Sequence, residues 1–309
     1  MSENQHLVRD VIVQTIPHDL WVSDEVFSAE PPVDGRVELG NGLWVGSLDF
    51  DTVQAVFDAC DPPGLNFCRT RLLFQRYCFV REQRHSSYPS LNWDDDLQLR
   101  KCVDLSRLVH PTTIATHFSA RLFYENGDDS KPSMIVPGLT QGLGAYAWVN
   151  GSSWRNWLTE QDARELGKLV PTYDFDKMPI RLRRAMNHFL YSCFTYYPDM
   201  RLLLIVAGLE ALVNTSRNHV TAQFKKRLAL AAIDVGMVVS EDSTKVAYAN
   251  RSLLIHGQGL QTQGFDRAFS ETYEQLEELL RKLIKKSIAD QKFSSNFESK
   301  ESIDNAYPV

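Results

Sequence analysis

The sequence contains no apolar run of the length that a membrane-spanning helix requires. Its longest purely apolar stretch, residues 202–209, has eight residues, whereas a spanning helix needs roughly 18 to 20. The N-terminal sequence MSENQHLVRD lacks the basic region and the following apolar region of a secretory signal. These absences predict a cytoplasmic protein without a membrane segment.

Cysteine is scarce, and the common nucleotide and metal motifs are missing. The five cysteines are widely spaced and include no CxxC pair, so we expect reduced thiols in the core, not a disulfide framework or a zinc site. His110 and His117 have no carboxylate or thiol at ligand spacing. The chain has no GxxxxGK[ST], HExxH, GxSxG or EF-hand pattern. We therefore expect neither a metal nor a cofactor.

The chain does contain enough apolar material for a substantial core. Its 309 residues are 43% hydrophobic, which suits one large or two ordinary domains. The net charge of -6 gives no chain-wide attraction to nucleic acid or to an anionic membrane, but it leaves room for a local basic face. Residues 1–157 have 13 basic and 20 acidic side chains, and residues 158–309 have 20 and 19. The acidity therefore belongs to the first half.

Local patterns predict an α+β fold class, with an N-terminal mixed α+β domain followed by an all-α helical bundle. We place the first domain at 1–157, the bundle at 158–292 and a polar tail at 293–309. Predicted strands of the first domain are 43–48, 72–80, 115–124 and 145–149. Its predicted helices are 51–59, with Asp51 as N-cap, and about 94–108. Predicted helices of the bundle are about 159–170, 179–197, 200–213, 220–235, 240–256 and 270–289.

The predicted helix 200–213 is apolar almost all round. Such a helix is buried on every side, in a bundle or at a subunit interface. Glu210 interrupts it, and a buried carboxylate needs a partner. Arg251 and the lysines of the next helix are the candidates.

The pattern with the most chemical content is RSLLIHG at residues 251–257, where an arginine and a histidine are separated by four residues. The pattern is short, and Arg183 and His188 have the same spacing. The two pairs differ in where their histidines lie on the predicted helices. His188 lies in the middle of a predicted helix, where packing is the expected role, whereas His256 ends one.

Helix geometry opposes a site built from one copy of this pair. On a regular helix Arg251 and His256 lie about 140° apart with a rise of about 7.5 Å. They converge only if the last turn unwinds or if a second copy brings its own pair alongside. We expect Val246, Ala249 and Leu253 to form the stripe of this helix that faces the core. Arg251 then points outward, beside the apolar Ile255, and such a combination is typical of a surface that contacts a partner. The alternative is that His256 interacts with the helix dipole while Arg251 makes a surface ion pair.

These stretches resemble the HEPN superfamily of helical bundles, particularly the HEPN domains that follow an α+β region in bacterial anti-phage and ApeA-like proteins. The likeness covers about residues 158–290. It rests on RLLLIVAGLEAL (201–212) as the central helix, on RSLLIHG as the R-x4-6-H motif at a helix end, and on the amphipathic helix that follows. Ser252 stands where many members have Asn, Asp or His. The first half looks like the N-terminal region of bacterial proteins with this arrangement, which implies no chemistry.

The resemblance implies a metal-independent endoribonuclease, a defence or toxin effector, that is a homodimer through its C-terminal half. His256 would act as general base or acid, and Arg251 would stabilise the phosphorane. The alternative function is a non-catalytic HEPN module for dimerisation or nucleotide binding. Candidate phosphate-binding residues, whose alternative role is an ordinary solvated helix face, are Ser252, Arg181, Arg184, Lys225, Lys226 and Arg227.

Overall fold

The computed structural model describes residues 6–15, 35–60, 77–85, 97–110, 115–125, 129–138, 158–195, 197–215, 220–256 and 267–309. The chain divides into two compact units, Met1–Pro171 and Thr172–Val309. The first combines a sheet with helices, and the part of the second that is described is helical. The predicted α+β class is therefore confirmed.

A six-stranded antiparallel sheet forms the centre of the first unit. The strand order is β2-β3-β4-β1-β5-β6. The strands are β1 (His6–Thr15), β2 (Arg36–Gly40), β3 (Leu43–Ser47), β4 (Tyr77–His85), β5 (Ala115–Phe123) and β6 (Met134–Pro137). The central strand β1 pairs with β4 on one side and β5 on the other, and its Val11 and Val13 are fully buried.

Three helices pack on this sheet: α1 (Phe50–Cys60), α2 (Leu97–Val109) and α3 (Glu160–Leu169). Val53 and Val56 of α1 join the apolar cluster that includes Val11 of β1. α3 approaches β2 closely at Gly167, where a Cβ atom would lie 3.2 Å from the carbonyl oxygen of Glu38. A side chain at Gly167 would therefore hold the helix away from the strand.

The position of α3 moves the boundary between the units. The sequence pattern assigned this helix to the bundle that begins at residue 158. Its contacts with β2 and α2 instead place it in the first unit, which ends at Pro171. Its start follows the sequence TEQD: Thr159 Oγ1 accepts from the Asp162 amide at 3.2 Å, and Asp162 Oδ2 accepts from the Thr159 amide at 2.8 Å. This reciprocal capping box fixes where α3 begins.

The strand predictions were right for β3 and β5, and 145–149 lies outside the described residues. The strand predicted at 72–80 has different bounds in the structure, because β4 continues through the polar sequence REQRH to His85. Cross-strand pairing supports these polar residues, since Arg9 Nε on β1 donates to Glu82 Oε2 at 3.0 Å. The predictions missed β1, β2 and β6.

The prediction that Asp51 caps the first helix was also wrong. The Thr52 amide donates to Asp49 Oδ1 at 2.7 Å, and α1 begins at Phe50. Residues 94–96, at which the second predicted helix begins, lie outside the described residues. Two of the cysteines, Cys78 and Cys102, are buried in this unit as expected.

The second unit is a bundle around one apolar helix. Its helices are α4 (Ile180–Phe194), α5 (Pro198–Val213), α6 (Val220–Asp234), α7 (Glu241–Ile255), α8 (Arg267–Ala289), α9 (Gln291–Ser294) and α10 (Lys300–Ala306), with a 3-10 turn at Ser295–Phe297. α5 contacts α4, α6, α7 and α8. Ile205, Val206 and Leu209 of α5 are fully buried, as predicted for an all-round apolar helix. Within the described residues no helix is long and apolar enough to cross a membrane.

The C-terminal residues are not a polar tail. Phe297 and Ile303 are fully buried, Tyr307 is 1% exposed, and the Phe293 and Phe297 rings pack edge to face at 5.6 Å. The Tyr307 hydroxyl donates to Asp234 Oδ2 at 2.9 Å. The spaced apolar residues that anchor this segment are outnumbered by polar ones, which is why the average composition concealed them.

Replacing Phe297 with alanine tests this packing. Loss of a fully buried ring costs about 3 to 5 kcal/mol, so we expect a clear fall in the urea midpoint of the second unit. The exposed neighbour Glu298 is the control, and Glu298→Ala should stay within about 0.5 kcal/mol of wild type. Equal midpoints for Phe297→Ala and wild type would mean that the segment is a tail after all.

Candidate functional site

Arg251 faces the bundle and forms an ion pair with α5. Its Nη2 donates to Glu210 Oε2 at 3.0 Å, and the exposed fractions of the two side chains are 29% and 14%. Of the partners considered for Glu210, the structure therefore selects Arg251. The pair lies at the margin of the core, where solvent screens it less than on an open surface.

The expectation that Arg251 points outward was wrong, together with the stripe from which it came. Thr244 and Ala247 of α7 are buried, whereas Val246 is 43% exposed and Ala249 is exposed. The inward face of α7 carries polar groups because it must reach Glu210. A pattern that assigns apolar residues to the core consequently selects the opposite face.

Tyr248 holds the arginine from a second direction. The Arg251 Cζ atom lies 5.6 Å from the centroid of the Tyr248 ring, which in turn packs against Phe224 at 5.4 Å. Burial, followed by the Glu210 carboxylate, raises the pKa of Tyr248, so its hydroxyl is protonated at neutral pH. Sequence reasoning did not assign Tyr248 to the site, although its i, i+3 spacing from Arg251 is a signal for such a contact.

His256 ends α7 and is exposed to solvent. Its backbone amide donates to the Ser252 carbonyl at 3.2 Å, so the last turn of the helix is closed, not unwound. Among the described residues no hydrogen bond or ion pair joins Arg251 to His256. Of the two ways in which the pair was expected to converge, unwinding is therefore excluded. Ser252 lies between them and is partly buried.

Two of the candidate phosphate-binding arginines are used by the fold. Arg181 Nη1 donates to the carbonyl oxygens of Ala211 at 3.0 Å and Asn214 at 2.8 Å, at the end of α5. Arg227 is 5% exposed, and its Nη1 donates to the Val213 carbonyl at 3.0 Å. These groups satisfy helix carbonyls that have no partner within α5.

Arg227 also ties the C-terminal segment to this helix end. Its Nη2 forms an ion pair with Asp304 of α10, and the Thr215 hydroxyl donates to the same carboxylate at 2.8 Å. With these contacts Arg227 does not belong to an open phosphate-binding surface. Of the other basic candidates, Arg184 and Lys226 are exposed and Lys225 is partly buried.

The second arginine–histidine pair at the same spacing has a different environment. Arg183 lies on the Phe175 ring, with 6.0 Å between Cζ and the ring centroid. His188 is half-buried in mid-helix, and burial, followed by the neighbouring Arg184 charge, lowers its pKa. His188 is therefore partly buried within the bundle, in the mid-helix position that the sequence indicated.

No protein-family model, curated protein or solved structure matches this chain. Across the described parts of the chain, no group of three or more histidine, cysteine, aspartate and glutamate side chains is arranged to hold a metal ion.

A double-mutant cycle measures the Glu210–Arg251 pair. Because both groups are partly buried, we expect a coupling of about 1 to 2 kcal/mol between Glu210→Gln and Arg251→Met in urea unfolding. His256→Ala serves as control at the same helix end and should cost only about 0.5 to 1 kcal/mol. Additive effects of the two substitutions would show that the ion pair contributes nothing.

Proposed function

We propose that the second unit is a metal-independent endoribonuclease of the HEPN type that acts as a homodimer. The observation that carries the proposal is the end of α7, which presents an exposed His256 within two turns of an arginine held by Glu210 and Tyr248. The motif RSLLIHG and the buried apolar helix before it support the same function.

The chemistry needs two groups. The 2′-hydroxyl oxygen of a ribose attacks the adjacent phosphorus atom, the 2′-O–P bond forms, and the bond from phosphorus to the 5′-oxygen breaks. The imidazole of His256 accepts the 2′-hydroxyl proton or donates one to the 5′-oxygen. Arg251 offers planar N–H donors to the charged phosphorane. The products are a 2′,3′-cyclic phosphate and a 5′-hydroxyl.

Glu210 acts on this arginine in the proposed site. It takes one of the five N–H donors of the guanidinium and, with the Tyr248 ring, fixes the direction of the others. A fixed donor loses less conformational entropy when it binds a phosphate than a mobile one does. The 29% of the Arg251 side chain that stays exposed is the part open to a substrate.

The closed last turn of α7 supports a site that two copies share. In one chain Arg251 faces α5 and His256 faces solvent, so a site with both groups on one phosphate takes at least one of them from a second chain. An apolar side chain at this end of α7 is open to such a contact, since Ile255 is 50% exposed.

RNA cleavage in excess EDTA tests the activity. Purified protein should produce 2′,3′-cyclic phosphate and 5′-hydroxyl ends without a divalent metal, and both His256→Ala and Arg251→Ala should abolish cleavage. The control is His188→Ala, which should lower thermal stability while cleavage per folded molecule is retained, because His188 is a packing residue. The assignment fails if EDTA stops cleavage and magnesium restores it, or if His188→Ala is inactive while His256→Ala is not.

Light scattering tests the assembly. We expect about twice the chain mass of 35.3 kDa. A lysine at Ile255 should reduce the mass to that of one chain, since it places a charge in the apolar contact. Ile233, which is 68% exposed on α6, provides the matched control, and Ile233→Lys should remain dimeric. A monomeric wild-type protein would remove the two-copy site.

The Glu210–Arg251 pair also favours a second function, a non-catalytic interaction module. A carboxylate at 3.0 Å compensates the arginine charge, and such a pair can serve structure alone. This alternative predicts that the wild-type protein cleaves no RNA and that Arg251→Ala lowers the unfolding free energy without any other effect.

A further inference from the structure

The outward face of α4 combines a positive charge with exposed aromatic rings. Arg184 and Asn187 are exposed on this face, one turn apart. Tyr191 follows with 62% of its surface exposed, and Phe194 with 42%. Tyr197, just beyond the helix, is 65% exposed. We name these five residues the α4 face. Arg184, Asn187, Tyr191 and Phe194 succeed one another at the three- and four-residue spacing that aligns side chains on one side of a helix, and Tyr197 follows three residues after the helix ends.

The charge of this helix has one sign. α4 contains Arg181, Arg183 and Arg184 and no acidic residue in the sequence IRLRRAMNHFLYSCF. Burial lowers the pKa of Arg181, and the charges of Arg184 and Arg227 contribute to the same shift. The charge of Arg184 also contributes, after burial, to the lowered pKa of His188. The charged side chains that α4 itself contributes are therefore all arginines, and positive charge suits a polyanion.

The helix that carries the α4 face begins at the end of α5 that bears Glu210. Arg181 of α4 bonds to the carbonyl of Ala211, and Arg251 of α7 bonds to the side chain of the preceding residue, Glu210. Both helices thus reach the last turn of α5. From Arg184 to Phe194 the α4 face extends about 15 Å along the helix, away from that turn.

We propose that the α4 face binds single-stranded RNA and leads it to the site at the end of α7. This inference rests on the proposed function for its substrate. Bases stack on Tyr191, Phe194 and Tyr197, while Arg184 and Asn187 bind phosphate oxygens. Stacking on a side chain needs a base whose face is free, and in a duplex those faces are covered by neighbouring base pairs. The face consequently selects unpaired RNA.

Fluorescence anisotropy with a labelled RNA of about 12 nucleotides tests the proposal, a length within the usual range of stacking sites. Measurements use the full-length His256→Ala protein, so that the probe is not cleaved. Adding Tyr191→Ala and Tyr197→Ala together should weaken binding at least tenfold, because two stacking contacts are lost. Arg184→Ala should weaken binding and reduce the slope of log affinity against log salt by about one.

Matched controls lie in the first unit. Phe50 is a 45% exposed aromatic residue and Arg164 an exposed arginine, so Phe50→Ala and Arg164→Ala should leave affinity unchanged. A duplex of the same sequence should compete poorly with the single strand. Circular dichroism confirms that the variants fold, as expected for substitutions of exposed side chains.

Three results overturn the inference. They are unchanged affinity in the double tyrosine variant, equal affinity for duplex and single strand, and a change of molecular mass in the tyrosine variants, which would make the face a protein contact. Its failure is distinguishable from failure of the proposed function. If the wild-type protein binds RNA through Tyr191 and Tyr197 without cleaving it, only the nuclease assignment is lost. If it cleaves RNA and both tyrosines are dispensable, only the α4 face is lost.

Discussion

The organisation of the second unit depends on how the C-terminal end of α5 is satisfied. An apolar helix that ends inside a protein leaves carbonyl oxygens without partners, and each would be costly to bury alone. Here Arg181 of α4 and Arg227 of α6 donate to them. Arg227 is in turn paired with Asp304, which brings in α10. One helix end thereby joins four helices through charged hydrogen bonds.

The same turn of α5 carries Glu210, and this explains the unusual face of α7. A carboxylate in an apolar helix is tolerated if it receives a cation, and Arg251 supplies one from within the bundle margin. Because the side of α7 that bears Arg251 faces α5, Val246 and Ile255 are left at the surface. Apolar groups at the surface and an arginine turned towards α5 are thus two consequences of one partly buried acid.

The parts of the fold that sequence predicted are those fixed by local chemistry. The capping box at Thr159 and the end of α6, where Gly236 adopts a φ of 68°, depend on a few neighbouring residues. Unlike the N-cap of α1, the errors in β4 and in the C-terminal segment involve partners distant in the chain. The polar half of β4 forms a strand because Arg9 reaches Glu82, and the C-terminal segment is ordered because Tyr307 reaches Asp234.

The candidate site shows the same division. RSLLIHG was located by sequence, and the end of α7 at His256 followed from local signals. The direction of Arg251 did not, because it is decided by Glu210, 41 residues earlier in the chain. The set of basic residues predicted to bind phosphate was partly wrong for a related reason. The sequence gives the charge of Arg181 and Arg227, but it does not show that backbone carbonyls accept hydrogen bonds from both side chains.

Whether the Glu210–Arg251 pair restrains or prepares the arginine is a question of geometry and charge. A carboxylate lowers the net charge that a phosphate meets, which weakens long-range attraction. At contact distance, however, a guanidinium retains donors beyond the one that Glu210 occupies, and their direction is then fixed. Attraction at long range can come from other groups, and the exposed Arg184 is one of them. Capture of a polyanion and stabilisation of a phosphorane therefore make different demands on an arginine, and the proposed site assigns them to different arginines, Arg184 and Arg251.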